Sequence, residues 1–197
     1  WDRQLVRGMF ASAVLRLSVT ADGQAELARG QLVSGSFFTV LGVQPVIGRT
    51  FTADDDRVPG GHPVAVISHG YWKRRFALDP AVVGKGIALN AKPFAIIGVT
   101  PPDFFGIQVG DATDFWVPMM MQGEFDVPAL NNPGYWWLEV VARLDPAVPR
   151  EQSQAGLNLA YRHALAEMRD GDQTRARERP EDQRRIELDP AGRGLGN

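Results

Sequence analysis

The sequence predicts an α+β fold, with α-helices and β-strands mixed along one chain. Apolar and polar residues alternate over residues 13–19, which predicts a half-buried strand. Val64–Ile67 is a short apolar run, as in a strand covered on both faces. Residues 157–168 place apolar side chains at helical spacing, which predicts a helix with one buried stripe.

Length and composition limit the classes of protein to consider. The chain has 197 residues, 44% of them apolar, enough for one large domain or two small ones. Its net charge is −2, from 21 basic and 23 acidic residues, so nothing favours a nucleic-acid partner. It has no cysteine, which excludes disulfides, thiolate metal sites and a cysteine nucleophile.

No stretch of the sequence approaches the roughly 20 apolar residues that span a bilayer. The chain begins Trp1-Asp2-Arg3, without a starting Met and without a signal-peptide pattern. We therefore expect the sequence to be an excised fragment of a longer protein.

Turn and cap residues predict the first elements. Asp22-Gly23 is suited to a two-residue hairpin turn after the first strand. The return strand, residues 26–32, alternates poorly and contains Gly30, so we expect it at a sheet edge or bulged. Ser34 is expected to cap a short helix with Phe37, Phe38 and Leu41 on one side, closed by Gly42.

A second helix and a hairpin follow the buried strand. Ser68 is expected to cap the helix, in which Trp72 and Phe76 share a face. Residues 87–89 and 94–97 are expected to form the hairpin. Its turn contains Asn90-Ala91, and because Ala disfavours a positive φ, we expect a loop longer than two residues.

The second half of the chain begins with a stretch, residues 100–133, that is expected to be irregular. Three consecutive methionines within it, residues 119–121, are more typical of adaptable packing than of a ligand surface. A strand is then expected, with Glu139 and Arg143 on one face and the other face formed by Trp136, Leu138, Val140, Ala142 and Leu144.

A helix is expected next, beginning near Pro149, where proline takes the place of a side-chain cap. Its buried stripe is expected to contain Leu157, Tyr161, Ala164, Leu165 and Met168. The charged run 169–185 is expected to be a solvated loop, and residues 185–188 a last strand.

Few residues form a pattern typical of catalysis or metal binding. His62, His69 and His163 have no His or carboxylate at ligand spacing, so a metal site is not expected. Asp54-Asp55-Asp56 lacks the EF-hand pattern and is interpreted as a solvated acidic loop; a weak calcium site shared with another segment is the alternative.

Ser34 lacks the Gly-x-Ser-x-Gly frame of a hydrolase nucleophile. Gly84-Lys85-Gly86 lacks the pattern of a phosphate loop, so no ATP site is expected in this chain. Four aromatic residues are interpreted as core packing, with a groove for an apolar ligand or partner as the alternative: Trp116, Tyr135, Trp136 and Trp137. The sequence thus predicts no catalytic, cofactor-binding or metal-ligating residue, and assigns no ligand or partner contacts.

A series of landmarks resembles the extracytoplasmic domain of MacB-like ABC transporter permeases, the group related to FtsX-like permeases. The landmarks occur in the same order: residues 33–38, Leu41-Gly42, Gly48-Arg49, residues 64–68, Trp72, Phe76, residues 83–85 and residues 97–99. The resemblance implies a porter-like lobe from residues 1–62 and 112–197, and an inserted, smaller and mainly β sabre-like lobe from residues 63–111.

The resemblance also implies a function. The chain would be a non-catalytic periplasmic domain that couples motion of transmembrane helices to handling of a substrate or partner outside the membrane. It implies a place on the periplasmic face of the bacterial inner membrane, with ATP bound by a separate cytoplasmic ATPase subunit or domain. The expected partners are the flanking transmembrane helices, that ATPase, a second permease copy and a periplasmic partner protein.

Two alternatives stay open. The first is a periplasmic protein that binds a small ligand in a cleft between two lobes. The second is a hydrolase whose site is assembled from scattered residues.

Overall fold

A computed structural model of the chain describes residues 5–108, 110–125, 137–170 and 185–191. Within these ranges the chain forms eight strands, three α-helices and two 3₁₀ helices, which confirms a mixed α/β fold. The strands are β1 (Val6–Ala21), β2 (Gln24–Val33), β3 (Ile47–Gly48), β4 (Val64–Ile67), β5 (Gly86–Leu89), β6 (Lys92–Val99), β7 (Phe115–Pro118) and β8 (Glu139–Leu144). The α-helices are α1 (Phe37–Leu41), α2 (His69–Phe76) and α3 (Arg150–Asp170), and the 3₁₀ helices are Pro80–Val82 and Met119–Phe125.

The chain divides into two compact units. We call one the terminal unit, formed by Trp1–Met9 and Ala142–Gly192, and the other the sheet unit, formed by Phe10–Val141 and Arg193–Asn197. Strands β1 and β8 each contribute residues to both units. Among the described residues, no helix combines the length and the apolar character needed to cross a membrane.

The β1–β2 hairpin confirms the predicted turn, since Asp22 and Gly23 have φ values of 48° and 74°. Strand β2 also pairs in parallel with β7, and its register with β1 is continuous, so the expected edge or bulge is wrong. A Cβ at Gly30 would lie 2.5 Å from the Leu17 side chain. Close packing across the hairpin therefore explains Gly30.

Six strands of the sheet unit pair in a closed ring, in the order β1, β2, β7, β4, β6, β5 and back to β1. Each strand of the ring consequently has a neighbour on both sides. Strand β8 lies next to β1, and β3 pairs with β6. Strands from residues 63–111 thus pair with strands that precede them in sequence, β1 and β3, and with β7, which follows them. The division into porter-like and sabre-like lobes stays a prediction.

Two apolar clusters cover the two faces of these strands. The larger contains Leu15, Leu17 and Val19 of β1 with Trp72 and Phe76 of α2. The smaller contains Phe10, Val33, Phe37, Phe38, Phe51, Val66 and Trp116. Strand β4 belongs to both, because Ala65 and Ile67 enter the larger cluster and Val66 the smaller. This confirms β4 as a strand buried on both faces.

The helix caps agree with the sequence at α2 and differ at α1. The Ser68 hydroxyl accepts a hydrogen bond from the Tyr71 N–H at 3.0 Å, as predicted for an N-cap. Ser36, rather than Ser34, precedes α1, and its side chain makes no capping bond. Ser34 Oγ instead accepts from the Ala11 N–H at 3.0 Å, because Ser34 directly follows β2 and extends its pairing with β1. Gly42 ends α1 in the left-handed conformation, as predicted.

The β5–β6 hairpin has a two-residue turn, so the expectation of a longer loop is wrong. Asn90 and Ala91 both adopt positive φ, at 47° and 64°. Asn90 is fixed from outside the hairpin, because its N–H donates to the Ser18 carbonyl at 2.8 Å and its Oδ1 accepts from the Ser18 N–H at 2.9 Å. These bonds to β1 hold the turn in a conformation that Ala91 alone would disfavour.

Strand β7 and the 3₁₀ helix Met119–Phe125 lie where an irregular stretch was expected, so that expectation is wrong for these residues. All four residues of β7 are buried, and its neighbours β2 and β4 are distant in sequence. The apolar run of β7 has only four residues and ends in a proline, which is too short a pattern to predict a strand from the sequence. Met119 and Met121 are buried, which confirms the packing interpretation.

The expected facing of β8 holds at Glu139, Arg143, Ala142 and Leu144 and is wrong at Val140. Val140 is 61% exposed, and Val141 packs instead against the smaller apolar cluster. In α3 the predicted stripe holds for Leu157, Tyr161, Ala164 and Leu165, which are half-buried. Trp136, the Met168 side chain and the charged run 171–184 lie outside the described residues. Residues 185–188 form no strand, which corrects the last predicted element.

Candidate functional site

The acidic run at residues 54–56 is the centre of a polar network in the sheet unit. Both Asp55 carboxylate oxygens accept from the Arg49 guanidinium, at 2.7 and 2.8 Å. The Thr52 N–H and hydroxyl also donate to Asp55, at 2.8 and 2.9 Å. The Arg49 hydrogen bonds lower the pKa of Asp55 to about 2, and the same pair raises the pKa of Arg49.

Asp56 joins two segments that are distant in sequence. Its carboxylate accepts from the Gly35 N–H at 3.0 Å, before α1, and from the Met120 N–H at 2.7 Å, after β7. Burial of the carboxyl raises the pKa of Asp56, and the backbone N–H bonds act in the opposite direction. We call this set of contacts around Arg49, Asp55 and Asp56 the loop anchor.

The interpretation of the acidic run as a solvated loop is therefore wrong for Asp55 and Asp56. Asp54 is exposed and pairs with Arg57 at 2.6 Å, as a solvated residue would. The sequence missed the network because the N–H groups that bind Asp56 come from other segments. The available signal was Gly48-Arg49, a landmark of the resembled family that lies shortly before the acidic run.

A pair of glycines lies beside the loop anchor. Gly48 of β3 is paired with Gly98 of β6. A Cβ on Gly48 would lie 2.2 Å from the Ile97 carbonyl oxygen, and one on Gly98 would lie 2.1 Å from the Arg49 carbonyl oxygen. Gly48 also has a φ of 72°. Both backbones therefore approach too closely for any side chain, in the residue directly before Arg49 and in its strand partner.

A second network fixes the tip of the β1–β2 hairpin, and we call it the hairpin anchor. The Arg75 guanidinium, at the end of α2, donates to the Ala21 carbonyl and to Gln24 Oε1. The Tyr71 hydroxyl donates to Glu26 Oε1 at 2.9 Å. Burial, with Glu26 adding to it, raises the pKa of Tyr71, so the phenol stays a hydrogen-bond donor. Helix α2 thus holds the hairpin through two of its side chains, Tyr71 and Arg75.

The three histidines lie in separate surroundings. His69 packs edge-on against Trp72, and His163 is exposed and pairs with Glu167 at 3.4 Å. His62 has its Nδ1 buried in the loop before β4. In the part of the chain that the structure describes, no group of three or more His, Cys, Asp or Glu side chains is arranged to hold a metal ion.

Of the four aromatic residues considered for a groove, the structure describes Trp116 and Trp137. Trp116 is fully buried, and its Nε1–H donates to Gln31 Oε1 at 3.0 Å. Trp137 is half-buried and packs against the larger cluster. These two confirm the core-packing interpretation, while Tyr135 and Trp136 lie outside the described residues.

The fold and its networks define a mixed α/β domain whose charged side chains fix loops and a hairpin. The family model described as the MacB-like periplasmic core domain matches residues 3–159. The chain belongs to this family of periplasmic domains of MacB-like ABC transporter permeases. None of the curated proteins matches the chain.

Solved structures share the fold. The periplasmic region of MacB from Actinobacillus actinomycetemcomitans is similar at a TM-score of 0.62 and 15% identity, over 90% of this chain and 80% of that one. The extracellular domain of the noncanonic ABC-type transporter YknZ from Gram-positive bacteria gives 0.57 and 19%, over 79% and 76%. A domain of a putative permease protein from Porphyromonas gingivalis gives 0.55 and 19%, over 84% and 64%. At these identities the likeness extends to the fold alone.

Proposed function

We propose that this chain is a non-catalytic coupling domain, which converts motion of transmembrane helices into displacement outside the membrane. In this proposal ATP is hydrolysed by the cytoplasmic ATPase of the transporter. The sheet unit of the domain moves as a rigid body, and the domain grips, releases or pushes a substrate or a partner protein. Its partners are its own flanking transmembrane helices, a second permease copy and a periplasmic protein.

The observation that most supports this proposal is the length and pairing of β1. Its 16 residues belong first to the terminal unit and then to the sheet unit, without a break in the strand. At about 3.3 Å per residue, 16 residues of strand have a length of roughly 50 Å along the chain. Ten residues of β1 pair in unbroken register with β2. A pull along β1 would load these antiparallel hydrogen bonds together, so the strand is suited to transmit displacement.

The beginning of β1 is also fixed, by contacts inside the terminal unit. The Arg7 guanidinium donates to Asp145 Oδ2 at 3.1 Å, and the Asp145 N–H donates to the Leu5 carbonyl at 3.1 Å. Asp145 further accepts from the Ala147 N–H at 2.8 Å, and this bond, with Arg7, lowers the pKa of Asp145. Motion applied to the N-terminal end of the chain would therefore move β1 and this turn together.

The loop anchor and the hairpin anchor support rigid-body motion of the sheet unit. Asp56 ties the segments at Gly35 and Met120 to one loop, and Arg75 ties the hairpin tip to α2. Displacement of β1 would then be shared by elements that are distant in sequence. In this proposal the anchors serve stiffness, and no bond of a substrate is made or broken.

The test uses the complete permease with its ATPase in lipid vesicles. This chain has no cysteine, so Val14→Cys and Leu27→Cys each create the one cysteine of the domain, in a permease and ATPase whose other cysteines are replaced. Both positions are exposed, on β1 and β2 respectively. We expect energy transfer from each label to a fluorescent lipid headgroup to change by a similar amount when ATP is added. A double variant, labelled at both positions, should show no change in its internal distance.

Each result bears on one part of the proposal. Unchanged transfer at both positions during ATP hydrolysis would contradict coupling, and a changed internal distance would contradict rigid-body motion. Turnover of an ester or peptide panel by the chain alone would contradict the non-catalytic role. The complete gene should encode hydrophobic spans immediately before Trp1 and after Asn197; a soluble product with its own signal peptide would favour the small-ligand-binding alternative.

A further inference from the structure

In the terminal unit, residues 185–188 lie beside α3 and pair with no strand that the structure describes. At Ile186 the backbone meets the Asn158 carboxamide, which both accepts and donates. Asn158 Oδ1 accepts from the Ile186 N–H at 2.8 Å, and Asn158 Nδ2 donates to the Ile186 carbonyl at 2.9 Å. One side chain thus supplies both bonds that an adjacent strand would supply at a hydrogen-bonded residue pair.

A second contact lies two residues further along. The Arg150 guanidinium, in the first turn of α3, donates to the Leu188 carbonyl. Both contacts bind backbone atoms of the returning segment. Ile186 and Leu188 are half-buried, whereas Arg185 and Glu187 are exposed, so the segment alternates as an extended strand does.

Asn158 is itself held in place. Its Nδ2 also donates to the Gln154 carbonyl one helical turn earlier, at 2.9 Å. The carboxamide is thereby oriented before the segment binds, which fixes the donor and the acceptor on the correct sides. A residue one position along the helix, Leu159, is 68% exposed and takes no part in these contacts.

We propose that Asn158 and Arg150 form a backbone clamp on α3, and that residues 185–188 are a detachable strap held by it. The clamp binds an extended polypeptide through its N–H and C=O groups, and the half-buried Ile186 and Leu188 side chains contribute separately. Among the described residues, the hydrogen bonds to the strap come from side chains of α3, so their rupture leaves the backbone hydrogen bonds of α3 intact. This inference is independent of the coupling function, since it concerns the chain alone.

Amide hydrogen exchange of the 197-residue chain, followed residue by residue by nuclear magnetic resonance, tests the clamp. We expect the Ile186 N–H to be protected, but to exchange faster than amides in the centre of α3. Asn158→Ala should accelerate exchange at Ile186 about fivefold or more, as for loss of one net hydrogen bond. Asn158→Asp, which retains an acceptor for the Ile186 N–H and loses the donor, should have a smaller effect. Leu159→Ala is the matched control and should leave Ile186 within about twofold of the parent.

Three results would overturn the inference. The first is an Ile186 N–H without protection in the parent chain. The second is an Asn158→Ala variant that exchanges at the parental rate at Ile186. The third is an equal acceleration at Ile186 and throughout α3, which would assign Asn158 to the stability of the helix. None of these results depends on ATP or on transport, so a failed clamp and a failed coupling function are distinguishable.

Discussion

Removal of the Phe38 ring is the sharpest test of how the smaller apolar cluster is built. Phe38 is fully buried in α1 and touches four other rings. Their centroids lie within 6.2 Å of its own: Phe37 at 5.1 Å, Phe51 at 5.6 Å, Trp116 at 5.8 Å and Phe104 at 6.2 Å. Phe38→Ala therefore leaves a cavity bounded by aromatic side chains from several elements.

The expected loss in unfolding free energy follows from burial and ring contacts. Truncation of a buried Phe to Ala costs about 3–5 kcal/mol. Aromatic pairs add about 0.5–1.5 kcal/mol beyond their buried area, so the number of ring contacts favours the upper half of that range. For a domain of this size, about 4 kcal/mol corresponds to a fall in melting temperature of roughly 8–16 °C.

The assay is equilibrium unfolding of the 197-residue chain, followed by tryptophan fluorescence and by a thermal scan. Phe105→Ala is the matched control, because the neighbouring Phe105 ring is 62% exposed. Its unfolding free energy should stay within about 0.5 kcal/mol of the parent. Equal unfolding midpoints for the parent and the Phe38 variant would refute the reasoning and place this ring on an interaction surface.

Three further predictions concern backbone conformation and charge. Ala91→Gly should raise the unfolding free energy by about 1 kcal/mol in a denaturant titration, because Ala91 has a φ of 64°; a loss of stability would show that its methyl group packs. Gly48→Ala should lower it by more than about 3 kcal/mol, since its Cβ would clash with the Ile97 carbonyl; a parental midpoint would contradict the close β3–β6 approach. Asp55 has a pKa of about 2 when folded against an ordinary 3.8, so its stabilisation is present above about pH 4 and is lost as the pH falls towards 2. Asp55→Asn should therefore be less stable at pH 7 and lose less stability between pH 4 and pH 2, and identical pH profiles would contradict the Arg49 pairing.

Features that depend on neighbours in sequence were predictable. The Asp22-Gly23 turn, the Ser68 cap and the buried strand β4 follow from local patterns of residue type, and the structure confirms each. The family followed from the order of landmarks. Two of them, Gly48 and Gly98, now have a physical reason, because neither position has room for a Cβ.

Features that depend on distant segments were not predictable. Ser34 binds β1 instead of capping α1, because its position after β2 brings it beside Ala11. Asp56 is anchored by N–H groups from Gly35 and Met120, which residue type does not indicate. The strand β7 depends on β2 and β4 for both of its edges. In each case the partner is set by tertiary structure, and composition along the chain does not determine it.

The closed ring of strands also has a consequence for the order of folding. The hairpins β1–β2 and β5–β6 have two-residue turns and can form within microseconds. Closure of the ring needs β7 to pair with β2, where Gln31 meets Trp116 across 85 residues of sequence. Such a contact of long sequence separation forms slowly. Until β7 arrives, β2 and β4 each have an open edge, and such edges associate readily with other chains. A chain shortened before Phe115 should therefore aggregate, even though it retains most of its strands.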